Sequence, residues 1–239
     1  MCGIFGSFKF NEYEKLYNVN KKRGTFAYGS LYVTNTTNPG IAKDLYVRKR
    51  EGVTTLSGDY AFEHDYDMFL GHTQAPTSAA RKYSPVTSHP FDSIDYMVAH
   101  NGVLENTTEL LKDIHMEDMH DNPVDSSIIP ILLTYTVEFD ENEVFVDHET
   151  KTIEVQAIEH VCSKMKGTFS CWIHSKITGD TYLVRSGSTL YGNMYTGSFS
   201  STWANGIANA ELKEGVVYCV TSEGLAECGS FETNSPFFL

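Results

Sequence analysis

The sequence contains no apolar run close to the roughly 20 residues that a membrane-spanning helix requires. Its N-terminus also lacks the basic segment and apolar run that mark a secretory signal peptide. At 239 residues, of which 41% are hydrophobic, the chain is long enough to bury a full core in one domain. We therefore expect a single globular domain over residues 1–239, cytoplasmic and without a membrane-bound part.

Positive charge is scarce. The chain has 18 lysines and arginines against 31 aspartates and glutamates, which gives a net charge of −13. A surface of this charge repels phosphate backbones, so we expect no nucleic-acid partner. The acidic residues are dispersed except for a cluster at 138–149, a pattern typical of a soluble surface with one acidic loop.

Motifs for metal and nucleotide ligands are missing as well. The nine histidines show no HExxH spacing, and no GxxxxGK[ST] phosphate loop is present. The five cysteines are odd in number and include no CxxC pair. This pattern favours a reducing compartment over a disulfide framework, and together these absences predict no metal site.

Strand-like patterns occupy both ends of the chain, and helical patterns occupy the middle. Apolar runs bounded by turn residues predict strands at 2–10, 26–34, 41–57 (one or two strands), 67–71, 96–100, 168–174, 181–185, 189–195 and 215–221. Apolar residues at helical spacing predict helices at 106–114, 128–137 and 154–166, and residues 11–22 a short helix or turn. This order indicates an α+β fold with two layers of sheet covered by helices.

Three helix boundaries carry signals of their own. Asn106 with Glu109 three residues later is a capping-box variant, which predicts that a helix begins there. Asp125-Ser126-Ser127 predicts the N-terminal cap of the next helix, and Gly167 predicts the end of the third.

Cys2 directly follows the initiator methionine. Cys2 is small, so methionine removal would leave one residue carrying both a thiol and a free α-amine. The amine titrates near about 7.7–8.0 and the thiol near about 8.5, so the amine can take the thiol proton at neutral pH. This is nucleophilic catalysis with the base on the same residue. Taken alone, Met1-Cys2 is also compatible with a buried, inert thiol at the start of an edge strand.

A nucleophile that attacks an amide needs donors for the developing oxyanion. Asn101-Gly102 follows the predicted strand at 96–100, and an Asn side-chain N–H and a Gly backbone N–H can converge on one oxygen. Taken alone, however, an Asn-Gly pair predicts an ordinary hairpin turn.

Several short motifs occur in a fixed order along the chain. They are Met1-Cys2-Gly3-Ile4-Phe5-Gly6, Arg23-Gly24, Gly71-His72-Thr73, His89-Pro90-Phe91, His100-Asn101-Gly102-Val103-Leu104-Glu105-Asn106 and Asp125-Ser126-Ser127. Further traces are 168–170, 183–190 and 214–221. Together they resemble the class II glutamine amidotransferase domain, an N-terminal-nucleophile (Ntn) hydrolase, over nearly the whole chain.

The resemblance implies a four-layer αββα sandwich with two mainly antiparallel sheets. It also implies a glutaminase that hydrolyses L-glutamine to glutamate and ammonia without a cofactor. The matching positions give Cys2 as the nucleophile, with its own α-amine as the base, and Asn101 and Gly102 as the oxyanion hole. Asp125 would pair with the substrate ammonium. The remaining matches are Arg23 and Gly24 beside the nucleophile and Thr77 near the substrate.

Gln74 departs from the family pattern, which usually has an arginine there to grip the substrate carboxylate. A neutral amide gives a hydrogen bond about half as strong as a charge-assisted one. Three explanations are open: Arg81 or Lys82 reaches in from the following loop, a partner completes the pocket, or the substrate is another amide. We prefer the loop cation.

Ammonia released into water is protonated and diffuses away, so domains of this family normally feed a synthetase site. Since no ATP-binding or acceptor segment is visible, we expect a separate synthetase subunit as partner. An alternative is an Ntn hydrolase acting on another linear or γ-glutamyl amide. A third reading is a catalytically silent regulatory subunit, which requires that Met1 is retained.

Overall fold

The structure, a computed structural model, describes residues 1–34, 44–54, 56, 66–76, 82–118, 120–139 and 151–234. Its helices are α1 (Phe10–Asn20), α2 (Thr107–Asp113), α3 (Ile128–Phe139) and α4 (Ile153–Lys164). Its strands are β1 (Gly3–Ser7), β2 (Ala27–Thr34), β3 (Leu45–Glu51), β4 (Tyr66–Gln74), β5 (Phe91–Asp92), β6 (Tyr96–Leu104), β7 (Gly167–Ser175), β8 (Thr181–Ser186), β9 (Tyr191–Gly192), β10 (Phe199–Ser200), β11 (Ala210–Glu211), β12 (Val216–Thr221) and β13 (Gly224–Ser230).

These strands form two sheets, and within each sheet the neighbouring strands pair in antiparallel orientation. One sheet has the order β11-β9-β10-β1-β4-β2-β3, and the other has the order β13-β12-β8-β7-β6-β5. Strand β1 lies inside its sheet, hydrogen-bonded to β10 on one side and β4 on the other. The N-terminus is therefore held at the end of an interior strand, not the edge strand of the inert-thiol alternative.

Alternation along the strands sends apolar side chains into three separate layers. Between the sheets pack Ile4, Leu31, Leu70, Ala99, Trp172 and Leu183. On the outer face of the first sheet, α1 packs through Tyr13, Leu16 and Tyr17 against Phe5 and Tyr28. On the outer face of the second sheet, α2, α3 and α4 pack through Leu110, Ile129, Leu133, Ile158 and Val161 against Val98 and Val184. The predicted αββα sandwich is confirmed.

The structure corrects several predicted boundaries. Strand β6 does not stop at residue 100 but runs through Asn101 and Gly102 to Leu104, so the predicted Asn-Gly turn is wrong. The first strand ends at Ser7, and α1 begins at Phe10. The predicted strand at 189–195 is reduced to Tyr191–Gly192, and β10, β11 and β13 were not predicted.

Two predicted caps also have different roles. Asn106 begins α2, but its side chain donates to the carbonyl oxygen of Lys164 and accepts from the backbone N–H of Lys166. It therefore ties α2 to the end of α4 and does not close a capping box. Helix α4 ends at Lys164, and Gly167 is the first residue of β7.

Candidate functional site

Cys2 lies one residue before β1; it forms no disulfide and is half-buried. Gly3 pairs with Thr73, so Cys2 and Gln74 occupy the next positions along β1 and β4. The guanidinium of Arg23 connects this N-terminal segment to the segment that carries Ser201. Its Nε donates to the carbonyl oxygen of Cys2 at 2.8 Å, and its Nη1 donates to that of Ser201 at 3.2 Å.

Arg23 also brings positive charge to Cys2. Burial lowers the pKa of Arg23, whereas the nearby Cys2 and Tyr191 act in the opposite direction. An arginine remains charged at neutral pH even when its pKa falls. The guanidinium therefore places a positive charge beside the backbone of Cys2.

Gly24 lies against the backbone at the end of β4. A Cβ atom on Gly24 would come within 2.4 Å of the carbonyl carbon of Gln74 and 2.5 Å of the backbone nitrogen of Ala75. The carbonyl oxygen of Gln74 accepts from the backbone N–H of Phe26 at 2.9 Å. The absence of a side chain at Gly24 thus lets the Arg23 segment approach the end of β4 at Gln74.

The side chain of Asn101 is buried between the two sheets. Its Nδ2 donates to Ser201 Oγ at 3.3 Å and to Ser170 Oγ at 3.4 Å. The same Ser201 hydroxyl accepts from the backbone N–H of Ile4 at 3.0 Å. Ser201 therefore joins β1, two residues beyond Cys2, to the amide of Asn101 on the opposite sheet.

Gly102 adopts a backbone conformation that side chains disfavour, with φ of +154°. A Cβ atom there would lie 1.9 Å from the carbonyl oxygen of Thr168 and 2.8 Å from His100 Nε2. Both the backbone angle and the lack of space require glycine at this position. The sequence places an Asn-Gly pair here for close approach between β6 and β7, not for a turn.

The carboxylate of Asp125 is held at the far end of the same strand. Its Oδ2 accepts from the backbone N–H of Leu104 at 2.8 Å, and its Oδ1 accepts from the backbone N–H of Ser126 at 2.8 Å. Residues Asp125–Ser127 form a 3-10 turn before α3, and the Asp125 side chain does not cap the helix. An ionised carboxylate offers about four acceptor positions, so Asp125 retains capacity for a further donor.

Three buried histidines surround the Asn101 strand. His100 Nδ1 lies 2.7 Å from Ser126 Oγ, and His72 Nε2 donates to the carbonyl oxygen of His100 at 3.1 Å. The ring of His72 stacks on that of His89, with centroids 3.9 Å apart. These contacts fix the backbone immediately before Asn101 from both sheets.

The predicted carboxylate-binding positions have mixed outcomes. Gln74 is buried, at 2% exposure, so its side chain is held within the fold at the end of β4. Lys82 is exposed. Thr77 and Arg81 lie outside the described residues. The structure therefore brings Cys2, Arg23, Gly24, Asn101, Gly102, Gln74 and Asp125 to the ends of β1, β4 and β6.

Sequence reasoning missed Ser201, Ser170 and His100 as members of this site. Ser201 lies in the stretch 198–202, where four of five residues are serine or threonine and no spacing distinguishes one hydroxyl from another. Only the pairing of β10 with β1 selects it. His100 was part of a motif, but its ring contacts depend on the position of Ser126.

Two further searches of the described ranges gave negative results. Among these residues, no group of three or more His, Cys, Asp or Glu side chains is arranged to hold a metal ion. Within the same ranges, no helix has the length and apolar character needed to cross a bilayer.

No protein-family model matches the chain. In sequence it is 28% identical over 200 residues to glutamine--fructose-6-phosphate aminotransferase [isomerizing] of Francisella tularensis subsp. tularensis (strain SCHU S4 / Schu 4). This match covers 80% of the chain but only 29% of that protein.

Two solved structures share the fold. One is described as the allosteric regulatory enzyme of purine biosynthesis, with a TM-score of 0.69 and 18% identity. The other is glutamine phosphoribosylpyrophosphate amidotransferase from B. subtilis in complex with ADP and GMP, with a TM-score of 0.68 and 18% identity. Each match covers 98% of this chain and 50% of the other.

The fold is that of the Ntn hydrolases. In sequence and in fold, the chain is similar to Ntn-type glutamine amidotransferases, a group of enzymes in which an N-terminal cysteine nucleophile is typical.

Proposed function

We propose that the chain hydrolyses L-glutamine to glutamate and ammonia, with Cys2 as the nucleophile after removal of Met1. The observation that carries this proposal is the double role of Ser201, which bonds both the β1 backbone at Ile4 and the side chain of Asn101. Ser201 thus links the strand that follows Cys2 to the side chain that we propose as an oxyanion donor, and Arg23 contacts the carbonyl oxygen of Cys2.

The arrangement supports a double-displacement reaction. The α-amine of Cys2 takes the thiol proton, and the sulfur attacks the side-chain carbonyl carbon of glutamine. Asn101 Nδ2 and the Gly102 N–H stabilise the oxyanion, since donors held in place before the reaction stabilise developing charge. The carbon–nitrogen bond then breaks, and the proton leaves with ammonia. Water hydrolyses the resulting thioester to glutamate, which restores the thiol.

Substrate orientation is assigned to Asp125 and to the segment after β4. The Asp125 carboxylate has remaining acceptor capacity for the ammonium of glutamine. For the substrate carboxylate we propose Arg81 or Lys82, with Thr77 nearby, because Gln74 is neutral and buried. Replacing Arg81 and Lys82 by alanine separately tests this: the residue that binds the carboxylate raises KM for glutamine, and unchanged KM in both variants rejects the assignment.

The test of the main proposal is labelling with 6-diazo-5-oxo-norleucine, a glutamine-shaped electrophile, followed by peptide mass spectrometry. We expect one adduct on Cys2, an intact mass that shows loss of Met1, and ammonia release that disappears in Cys2→Ala. Retention of Met1 in the active protein, or ammonia release that persists in Cys2→Ala, contradicts the proposal and supports the silent-subunit alternative or another nucleophile.

Gln74 favours a second candidate, an Ntn hydrolase acting on another linear or γ-glutamyl amide. A competition assay with glutamine and γ-glutamyl amides separates the two candidates. Glutamine as the best substrate by kcat/KM supports the first, and a γ-glutamyl amide as the best substrate supports the second.

The wider role we propose is supply of ammonia to a separate synthetase subunit in the cytoplasm, from a single glutaminase domain over residues 1–239. Support comes from the chemistry of ammonia, which is protonated in water and diffuses away unless an acceptor site receives it. The five cysteines form no disulfide, which also suits a reducing compartment. Amination of an acceptor by the purified chain alone would contradict the separate subunit.

A further inference from the structure

The imidazole of His100 lies between the two groups that would orient and activate glutamine. It is 2% exposed, and it directly precedes Asn101 in β6. One ring nitrogen approaches the turn that carries Asp125, and the other approaches the backbone opposite Gly102. The two ring nitrogens therefore contact two different parts of the proposed site.

The first contact leads to Asp125. His100 Nδ1 is 2.7 Å from Ser126 Oγ, and that hydroxyl lies 3.2 Å from Asp125 Oδ1. The Ser126 backbone N–H also donates to the same carboxylate oxygen at 2.8 Å. The hydroxyl has one proton, which goes to the nearer acceptor, His100 Nδ1. His100 therefore holds the side chain of the residue whose backbone N–H donates to Asp125 Oδ1, and so fixes the turn that positions this carboxylate for an incoming ammonium.

The second contact leads to Gly102. His100 Nε2 is 3.4 Å from the carbonyl oxygen of Thr168, which can only accept, so Nε2 carries the ring proton. The same carbonyl oxygen and the same Nε2 bound the space at Gly102, where a Cβ would come within 1.9 Å and 2.8 Å of them. The ring therefore holds Thr168 against the glycine whose N–H we assign to the oxyanion hole.

We propose that His100 is a positioning residue that sets both ends of the glutamine site. Through Ser126 it orients Asp125 for the substrate ammonium, and through Thr168 it fixes the Gly102 backbone for the oxyanion. This inference rests on the proposed function and adds a residue that acts on substrate binding by one nitrogen and on the chemical step by the other.

The electrostatic surroundings of the His100 ring agree with a neutral imidazole in which Nε2 donates a hydrogen bond and Nδ1 accepts one. Burial is the largest effect on the pKa of His100 and lowers it. The nearby Asp125 and the Thr168 carbonyl have smaller effects, which raise the pKa. The ring is therefore neutral at physiological pH, as the two contacts require. His72, which donates to the His100 carbonyl oxygen, holds the backbone of the residue in place while the ring makes both contacts.

Two isosteric substitutions separate the two contacts. The amide of His100→Asn reaches the position of Nδ1 and keeps the contact with Ser126, whereas the amide of His100→Gln reaches the position of Nε2 and keeps the contact with Thr168. We expect His100→Asn to lower kcat about fivefold with KM for glutamine unchanged, as the loss of one neutral hydrogen bond predicts. We expect His100→Gln to raise KM about fivefold with kcat unchanged.

Ser126→Ala provides a second route to the same conclusion, because it removes the hydroxyl without changing the ring. It should reproduce the KM effect of His100→Gln. His115→Asn is the matched control: His115 is exposed and has a φ of +54°, which asparagine tolerates, so both constants should be unchanged. Thermal unfolding of each variant confirms that it is folded.

The inference is overturned if both His100 variants change kcat and KM to the same extent. It is also overturned if neither variant changes either constant. If His100→Asn and His100→Gln do not fold, Ser126→Ala decides, and an unchanged KM there rejects the role. Failure of the inference is distinguishable from failure of the proposed function, because wild-type labelling of Cys2 and glutamine turnover test the latter alone. A wild-type protein without glutamine turnover overturns both.

Discussion

Arg23 Nε donates to the carbonyl oxygen of Cys2 across 2.8 Å, so a cation 21 positions away in sequence holds the residue that would carry out the reaction. The same guanidinium reaches the carbonyl oxygen of Ser201. The side chain of Arg23 therefore joins its own segment to two others that are distant in sequence, those of Cys2 and Ser201. A guanidinium suits this role because its donors have a fixed geometry that an ammonium lacks.

Replacing Arg23 by lysine should reduce glutamine turnover about tenfold or more, since hydrogen bonds from charged donors are worth about 1.5–3 kcal/mol. Lysine keeps the charge but cannot make both contacts. The measurement is kcat/KM for ammonia release, with the exposed Lys22→Ala as a control of unchanged activity. Full activity in Arg23→Lys would show that charge alone, and not the two contacts, is what the site requires.

Replacing Ser201 by alanine should lower kcat by roughly fivefold to tenfold, because it leaves both the Ile4 N–H and the Asn101 amide without their shared acceptor. The effect should fall on kcat, since Asn101 would act on the oxyanion and not on the bound ground state. Ser222→Ala, at an exposed turn, serves as the comparison. A change confined to KM would remove Asn101 from the oxyanion role.

Replacing Gly102 by alanine should destabilise the fold by more than about 3 kcal/mol, since the new methyl group meets Thr168 and the backbone angle disfavours a side chain. Gly52→Ala is a matched control: Gly52 has a φ of +70°, but nothing lies within 4 Å of a Cβ there. Chemical denaturation should give a loss of only about 1 kcal/mol for Gly52→Ala. Equal losses in both would show that the backbone angle, and not the contact with Thr168, dominates.

The contribution of His100 to stability should decrease at acid pH. Burial lowers its pKa in the folded state, so below about 6.5 the unfolded chain binds a proton that the folded chain does not. The free energy of unfolding therefore falls as the pH decreases from about 6.5 towards the folded-state pKa. Denaturant titrations across this range should show a smaller decrease for His100→Asn than for the wild type, and identical slopes would contradict the assignment.

A thiol reagent near neutral pH should modify Cys2 first. Its thiol is half-buried beside a cation, whereas burial raises the pKa of both Cys162 and Cys171. Burial also raises the pKa of Cys228 to about 12. Peptide mapping after brief exposure should therefore find the adduct on Cys2, and the two buried thiols should react only in denaturant. Early modification of Cys171 would indicate that the second sheet opens.

The sequence was sufficient to predict the layers of the fold, because apolar alternation in strands and helical spacing in the middle are local signals. It also predicts roles for Cys2, Asn101 and Asp125, because their motifs are short and contiguous, and these roles stay predictions. It was misleading at Gly102, where an Asn-Gly pair has the same local preference in a turn as in a strand that approaches its neighbour closely. Only the Thr168 carbonyl distinguishes the two.

Other features depend on contacts that no single segment encodes. Ser201 is selected by the antiparallel pairing of β10 with β1, and Asn106 by the end of α4. The short strands β9, β10 and β11 have two residues each, too few to show any periodicity. Their positions follow from the sheet that they complete.

The bond between Ile4 and Ser201 spans 197 positions of the chain. A ribosome therefore synthesises the strand that follows Cys2 long before the hydroxyl that fastens this strand to Asn101. Until Ser201 has been added, a growing polypeptide lacks the link between the two sheets that this hydroxyl supplies.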